Sequence, residues 1–297
     1  MGKLSFKDVL PLTGSSQTIP HIGFGVFRSD GSTCKASCLT ALKLGYRHID
    51  TAQYYENEAQ VGEAVRESGL PRESVYVTTK VIQPVGNVEE TLQSLRESVG
   101  RIGLGYVDLF LIHSPSSGKE GRKGLWTALE ELKKEGGTKD IGVSNFGVKH
   151  LEQLKEFSST TPVVNQIELH PWCQQREVVD YCKKNGIVVQ AYAPLVRAQK
   201  NNDPTLQSIA EAHGVSVPQV LVRWSLQNGF VPLPKSDNPG RIKSNADVYG
   251  FELTDEEMKK LNDKALPDEE GAICPYLANC PGWRGGSRLR SGTFGNS

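Results

Sequence analysis

The 297-residue chain is predicted to fold as an α/β protein, a (β/α)8 TIM barrel with an N-terminal β-hairpin plug, extra helices and a C-terminal loop or tail. Eight short runs rich in β-branched residues alternate with amphipathic stretches almost to the end. Several runs are apolar throughout, as parallel strands covered on both faces require. No composition break divides the chain, so eight βα units close one barrel, a domain over 1–297 with its core at about 10–265.

The segment KDVLPLTGSSQTIP sets turn residues between short apolar pieces and predicts the hairpin plug. Strands are expected at residues 22–27, 48–52, 75–81 and 107–113, then at 141–145, 163–169, 188–195 and 230–235. The GFG of residues 23–25 reads as a tight turn at the first strand end. Between strands, Val88, Leu92, Leu95, Val99 and Ile102 recur at helical steps, as do Leu125, Ala128, Leu129 and Leu132. Gly45, Gly69, Gly136, Gly186 and Gly214 stand where those helices should stop. VSVPQVLVRWSLQNG and LTDEEMKKLNDKA read as extra helices, with Trp126 and Trp224 as core, and the tail 266–297 reads as loop near the barrel mouth.

Lys+Arg and Asp+Glu are both 34, so no basic excess draws nucleic acid or an anionic membrane. No apolar run approaches the roughly 18 residues of a membrane span. The start lacks a secretory core and a myristoylation pattern, and the expected location is cytoplasmic. None of the six cysteines forms a C-x-x-C pair, so they read as reduced thiols, with Cys274 and Cys280 flanking a loop that a bridge or metal would close. The expected state is a monomer or weak dimer.

In barrel enzymes the reactive side chains lie at the C-terminal ends of strands. That rule selects Asp50, Lys80, His113, Asn145, Gln166 or Glu168, and Tyr192, with Tyr55 in the loop after the second strand. A phenol titrates near pKa 10, a nearby ammonium stabilises its anion, and a carboxylate keeps that ammonium charged. Asp50, Lys80 and Tyr55 thus read as a tuned general acid, with neutral His113 orienting a carbonyl. The plainer reading makes Lys80 a salt-bridge partner and His113 a core residue. A metal site using His113, Glu168 and His170 lacks a convincing further ligand, and the last two read as structural hydrogen-bonders.

At these residues the sequence resembles the aldo-keto reductase family. GYRHIDTAQYYENEAQVGEAV (45–65) matches the signature G-x-R-x-x-D-T-A-x-x-Y-x-N-E-x-x-x-G. VDLFLIHSP (107–115), IGVSNF (141–146), NQIELHP (165–171) and AYAPL (191–195) follow in the family's order. LPKSDNPGRIKSN (233–245) resembles its phosphate-binding K-S-x-x-x-x-R-I-x-x-N segment. The resemblance implies reduction of a small aldehyde or ketone by NADPH, with Tyr55 as proton donor, Asp50 and Lys80 tuning it and His113 orienting substrate. It implies nicotinamide contacts from Ser144, Asn145, Gln166 and Tyr192, a 2′-phosphate held by Lys235, Ser236 and Arg241, and adenine met by Asn245. Leu195 and Asn238 complete the implied cofactor set, while Phe27, Tyr54, Ser114 and the 274–283 segment (Cys274, Tyr276, Trp283) are the substrate-side candidates.

Departures from the family pattern qualify this. Ser244 replaces a common Glu toward adenine, Ala193 a common Ser, and Phe27 and Ser114 stand where some members carry Trp, which implies a roomier pocket. Asp237 and Asn238 replace more usual neutral residues in the phosphate loop, so use of NADH beside NADPH stays open. The competing functional reading is a barrel that binds NADPH with little turnover.

Overall fold

The computed structural model describes residues 4–274. Val9–Pro11 (β1) and Thr18–Pro20 (β2) pair antiparallel as the expected hairpin. Phe24–Gly25 (β3), His48–Asp50 (β4), Tyr76–Val81 (β5), Val107–Ile112 (β6), Thr138–Ser144 (β7), Val164–Glu168 (β8), Val188–Tyr192 (β9) and Val231–Pro232 (β10) form one parallel sheet in chain order. The sheet closes on itself: the N–H groups of Gly23 and Gly25 donate to the carbonyls of Pro232 (3.0 Å) and Pro234 (3.2 Å). Closure leaves no strand edge unpaired along that seam, and the architecture is a (β/α)8 barrel.

This seam corrects the reading of GFG as a tight turn. Gly25 belongs to β3, and a Cβ at Gly23 would meet the Leu233 and His48 side chains at 2.5 and 2.6 Å. Glycine is there because the first strand passes close to its neighbours.

Strand parity divides the interior. Tyr76 on β5 and Leu109 and Leu111 on β6 join Leu12 and Ile19 of the hairpin in one cluster, with Val164 and Val231. Val77, Val81, Phe110 and Ile112 join the larger cluster that includes helix residues. Residues two apart share a face, so one parity fills the barrel and the other packs the helices. The hairpin thus stops one end of the barrel with apolar side chains.

Helices separate the strands as expected. Val88–Ile102 begins with a capping box between Asn87 and Glu90, and Gly118–Lys134 buries Leu125, Trp126, Ala128, Leu129 and Leu132. Gly69 and Gly214 follow their helices at φ 69° and 65°, a left-handed C-cap that favours glycine. Two helices, Pro204–His213 and Val217–Gln227, fill the span between β9 and β10, and Asp255–Asn262 follows. Trp126 and Trp224 are buried core residues. Among the described residues no helix is long and apolar enough to cross a membrane.

The tail departs from its loop reading up to residue 274. Asp268–Gly271 is a short helix, and the N–H groups of Ile273 and Cys274 donate to Glu168 at 2.7 and 3.1 Å. Buried carboxylate oxygens need donors, and this backbone supplies two. Cys280, Tyr276 and Trp283, with the pairing considered for Cys280, lie outside the described residues.

Candidate active site

The polar layer begins where the inward parity of the strands reaches the C-terminal end. Lys80 lies in β5 and is fully buried. Its ammonium donates to Asp50 Oδ1 at 2.5 Å, to the Thr51 carbonyl at 2.8 Å and to Tyr55 Oη at 3.3 Å. An ammonium has three hydrogens and no acceptor, so these three oxygens complete its valence. Burial pushes the Asp50 carboxyl up and the Lys80 ammonium down, and their contact pulls each back toward its charged form.

Tyr55 arrives by a local route. The 3₁₀ turn Gln53–Tyr55 follows β4 and ends at Glu56, which takes a left-handed φ of 56°. Thr51 Oγ1 donates to Asn57 at 2.6 Å, and the Asn57 amide donates to the carbonyls of Val26 and Ser29. Glu58 is buried and accepts from Thr79 and Arg101. Asn57 and Glu58 therefore hold the turn that presents the phenol. Phe27 and His113 flank Tyr55, with ring centroids at 5.0 and 5.6 Å. Burial, then the Lys80 charge, holds His113 well below the ordinary histidine range, so its ring is neutral at pH 7.

Gln166 on β8 extends the network. Its amide nitrogen donates to Asp50 Oδ2 at 2.7 Å and to Gln190 Oε1 at 2.9 Å. Both amide hydrogens are thus engaged, and the carbonyl oxygen is the atom left to meet a ligand. Ser144 Oγ donates to the backbone carbonyl of Gln166, and Asn145, at φ 62°, donates through its side-chain amide to the backbone carbonyl of His113 and accepts from Tyr192 Oη.

These side chains share a cavity of about 410 Å³ lined by Phe27, Asp50, Tyr55, His113, Ser144, Asn145, Gln166, Tyr192, Leu195 and Lys235. Lys80 lies behind that lining. Ser236 accepts from Arg241 Nε at 3.3 Å, Asn238 caps the helix Pro239–Ala246 by accepting from the Arg241 N–H, and Asn245 is buried. Tyr54 is 51% exposed, Ser114 is buried and accepts from the Ser116 N–H, and neither of these substrate-side candidates lines this cavity.

Arg28 and Arg197 also line the cavity, and the sequence reading passed over them. Residues 196–198 all have positive φ and none is glycine. Each such residue costs about 1–2 kcal/mol, so no propensity in VRA announces this turn. It lets Arg197 donate to Cys274 Sγ at 3.4 Å, and burial pushes that thiol up to about 12. Glu168 and His170 hydrogen-bond each other at 3.0 Å, as structural partners at the strand end.

A family model described as "Aldo/keto reductase family" matches residues 22–265. A glyoxal reductase of Bacillus subtilis is 44% identical over 259 residues, covering 87% of this chain and 93% of that protein. A 9,11-endoperoxide prostaglandin H2 reductase of Trypanosoma cruzi is 43% identical over 253 residues, covering 84% of this chain and 89% of that protein. The crystal structure of a Bombyx mori aldo-keto reductase in complex with NADP superposes with a TM-score of 0.84 at 32% identity, covering 94% of this chain and 99% of that one.

Proposed function

The chain belongs to the aldo-keto reductase family, and from that premise we propose that it reduces a small aldehyde or ketone with NADPH, Tyr55 being the proton donor. The observation that carries this reading is the buried Lys80 ammonium, held by Asp50 and reaching Tyr55 Oη at 3.3 Å.

The residues present fit the cofactor. Gln166 offers a carbonyl oxygen to a carboxamide, the Tyr192 ring lines the same wall, and Lys235 and Arg241 supply cations for a phosphate. When bound, the reduced nicotinamide supplies a hydride to the carbonyl carbon. Tyr55 then gives its proton to the carbonyl oxygen, and the Lys80 ammonium stabilises the phenolate left behind. Neutral His113 can hold the carbonyl oxygen without competing as a stronger acid. Solvent restores the Tyr55 proton.

The small cavity suits small carbonyls, and the name of the Bacillus relative makes short α-dicarbonyls the first candidates, ahead of sugars, keto esters and aromatic aldehydes. The test is NADPH and NADH oxidation by the full chain over a panel headed by glyoxal and methylglyoxal. NADPH consumption with stoichiometric alcohol formation is expected. A panel on which neither dinucleotide is consumed would refute the proposed reaction.

A further inference from the structure

Lys235 lines the cavity, yet its ammonium is already engaged. It forms an ion pair with Asp237 Oδ2 and reaches the Arg28 carbonyl at 3.5 Å. Asp237 is itself tied down: Oδ1 accepts from Ser29 Oγ at 2.5 Å and from Ser37 Oγ at 3.0 Å. These hydroxyls come from the loop after β3 and from the helix Gly31–Lys43, so three segments fix one carboxylate beside the cation. Partial burial pushes the Asp237 carboxyl up, but the hydrogen bonds from Lys235, Ser29 and Ser37, with the Lys235 charge, outweigh it and hold the group below its ordinary range. The carboxylate is therefore ionised at neutral pH and cannot swing aside when another anion approaches Lys235.

We propose that Asp237 is a specificity-determining residue that competes with a cofactor 2′-phosphate for Lys235, so that the chain uses NADH as well as NADPH. This rests on the function proposed above, in which Lys235 and Arg241 face the adenosine end. While Asp237 holds Lys235, the ammonium charge is engaged by that carboxylate and withheld from a phosphate dianion, which needs the same donor, whereas a ribose hydroxyl does not need it. Among the described residues Arg241 takes part in no ion pair, so of the motif's two cations, Lys235 and Arg241, it is the one left uncompensated. A dianion thus meets one available charge where the motif alone advertises two.

The test is calorimetric titration of the full chain with NADP+ and NAD+, which reads binding without turnover. In the natural chain the two dissociation constants should lie within about tenfold of each other, because one cation of the pair is neutralised. Asp237→Asn preserves shape and still accepts from the two serines. It should tighten NADP+ about tenfold and change NAD+ less than about twofold, with the gain shrinking as salt rises. In a Lys235→Met background the same change should leave the ratio almost unmoved. Asp237→Ser gives a second readout should the Asn variant fold poorly.

A ratio that stays constant, or NADP+ binding that weakens, overturns the proposal and makes Asp237 a strut for Lys235. So does a full-sized effect in the Lys235→Met background. Binding of neither dinucleotide would overturn the proposed function as well, whereas a ratio insensitive to Asp237 in a chain that reduces carbonyls overturns this inference alone.

Discussion

Lys235 lines the cavity and Lys80 lies behind its wall, and the two ammonium groups are held in opposite circumstances. Lys80 is fully buried and divides its three hydrogens among Asp50, Thr51 and Tyr55, carried by β4 and by the loop and 3₁₀ turn that follow it. The Lys235 side chain is 31% exposed and pairs with an acid two residues away in its own loop. A buried ammonium with saturated valence has one geometry, and displacing it leaves a carboxylate stranded in a low dielectric. A partly exposed ammonium can exchange partners, because water screens each state, and the exchange costs only what the fixed Asp237 carboxylate adds. On the function proposed above, chemistry belongs to the cation that cannot move and cofactor choice to the one that water reaches.

Breaking the rigid side should give the largest effects. Tyr55→Phe removes the proposed donor and keeps the ring contacts with Phe27 and His113. Turnover should fall by about 10²–10⁴-fold, the usual worth of a general acid, with NADP+ affinity near normal by titration. Lys80→Met strands buried Asp50 and should lower stability by about 3–5 kcal/mol in denaturant unfolding, besides abolishing turnover.

On the exchangeable side, Arg241→Ala removes a charged hydrogen-bond donor worth about 1.5–3 kcal/mol, so the NADPH KM should rise roughly 10- to 100-fold with kcat little changed. An Arg241→Ala enzyme that lost kcat instead would erase the distinction between the two sides. A last effect, graded with pH, concerns the buried layer beneath Lys80. Burial, then the Lys80 charge, pushes His48 down to about 3 from the ordinary 6.5. The unfolded chain then binds a proton that the folded chain refuses between pH 6.5 and about 3. Stability is therefore complete above 6.5 and is lost on acidification through that window, by about 1.4 kcal/mol per pH unit for this group. Unfolding midpoints measured across that window should fall less steeply in His48→Gln, and an unchanged slope would show that His48 does not carry the loss.

Much of the fold was legible because it is periodic. Apolar strand runs, helical steps and stop glycines each encode a local preference, and all eight strands lie within a few residues of their expected positions. Asp50, Lys80 and His113 could be picked out because barrel chemistry gathers at strand ends, and Tyr55 because five residues of loop return it to Lys80. GFG misled because a glycine demanded by close strand passage looks, in sequence, like one demanded by a turn. Arg28 and Arg197 carried no signal, since their left-handed backbones run against residue preference and exist only because packing imposes them.

By itself the sequence determined the barrel, the order of its strands and the set of titratable groups carried at their ends, because periodicity and motif spacing are local properties of the chain. Only the tertiary structure decided which of those groups meet. It completed the valence of Lys80, placed Cys274 in the cavity wall through Glu168, and set Asp237 against Lys235 by fixing its carboxylate from Ser29 and Ser37. The physical reason is that charge and hydrogen-bond energies depend on distances of a few ångströms between residues as many as 208 apart in sequence, and no local pattern records those distances.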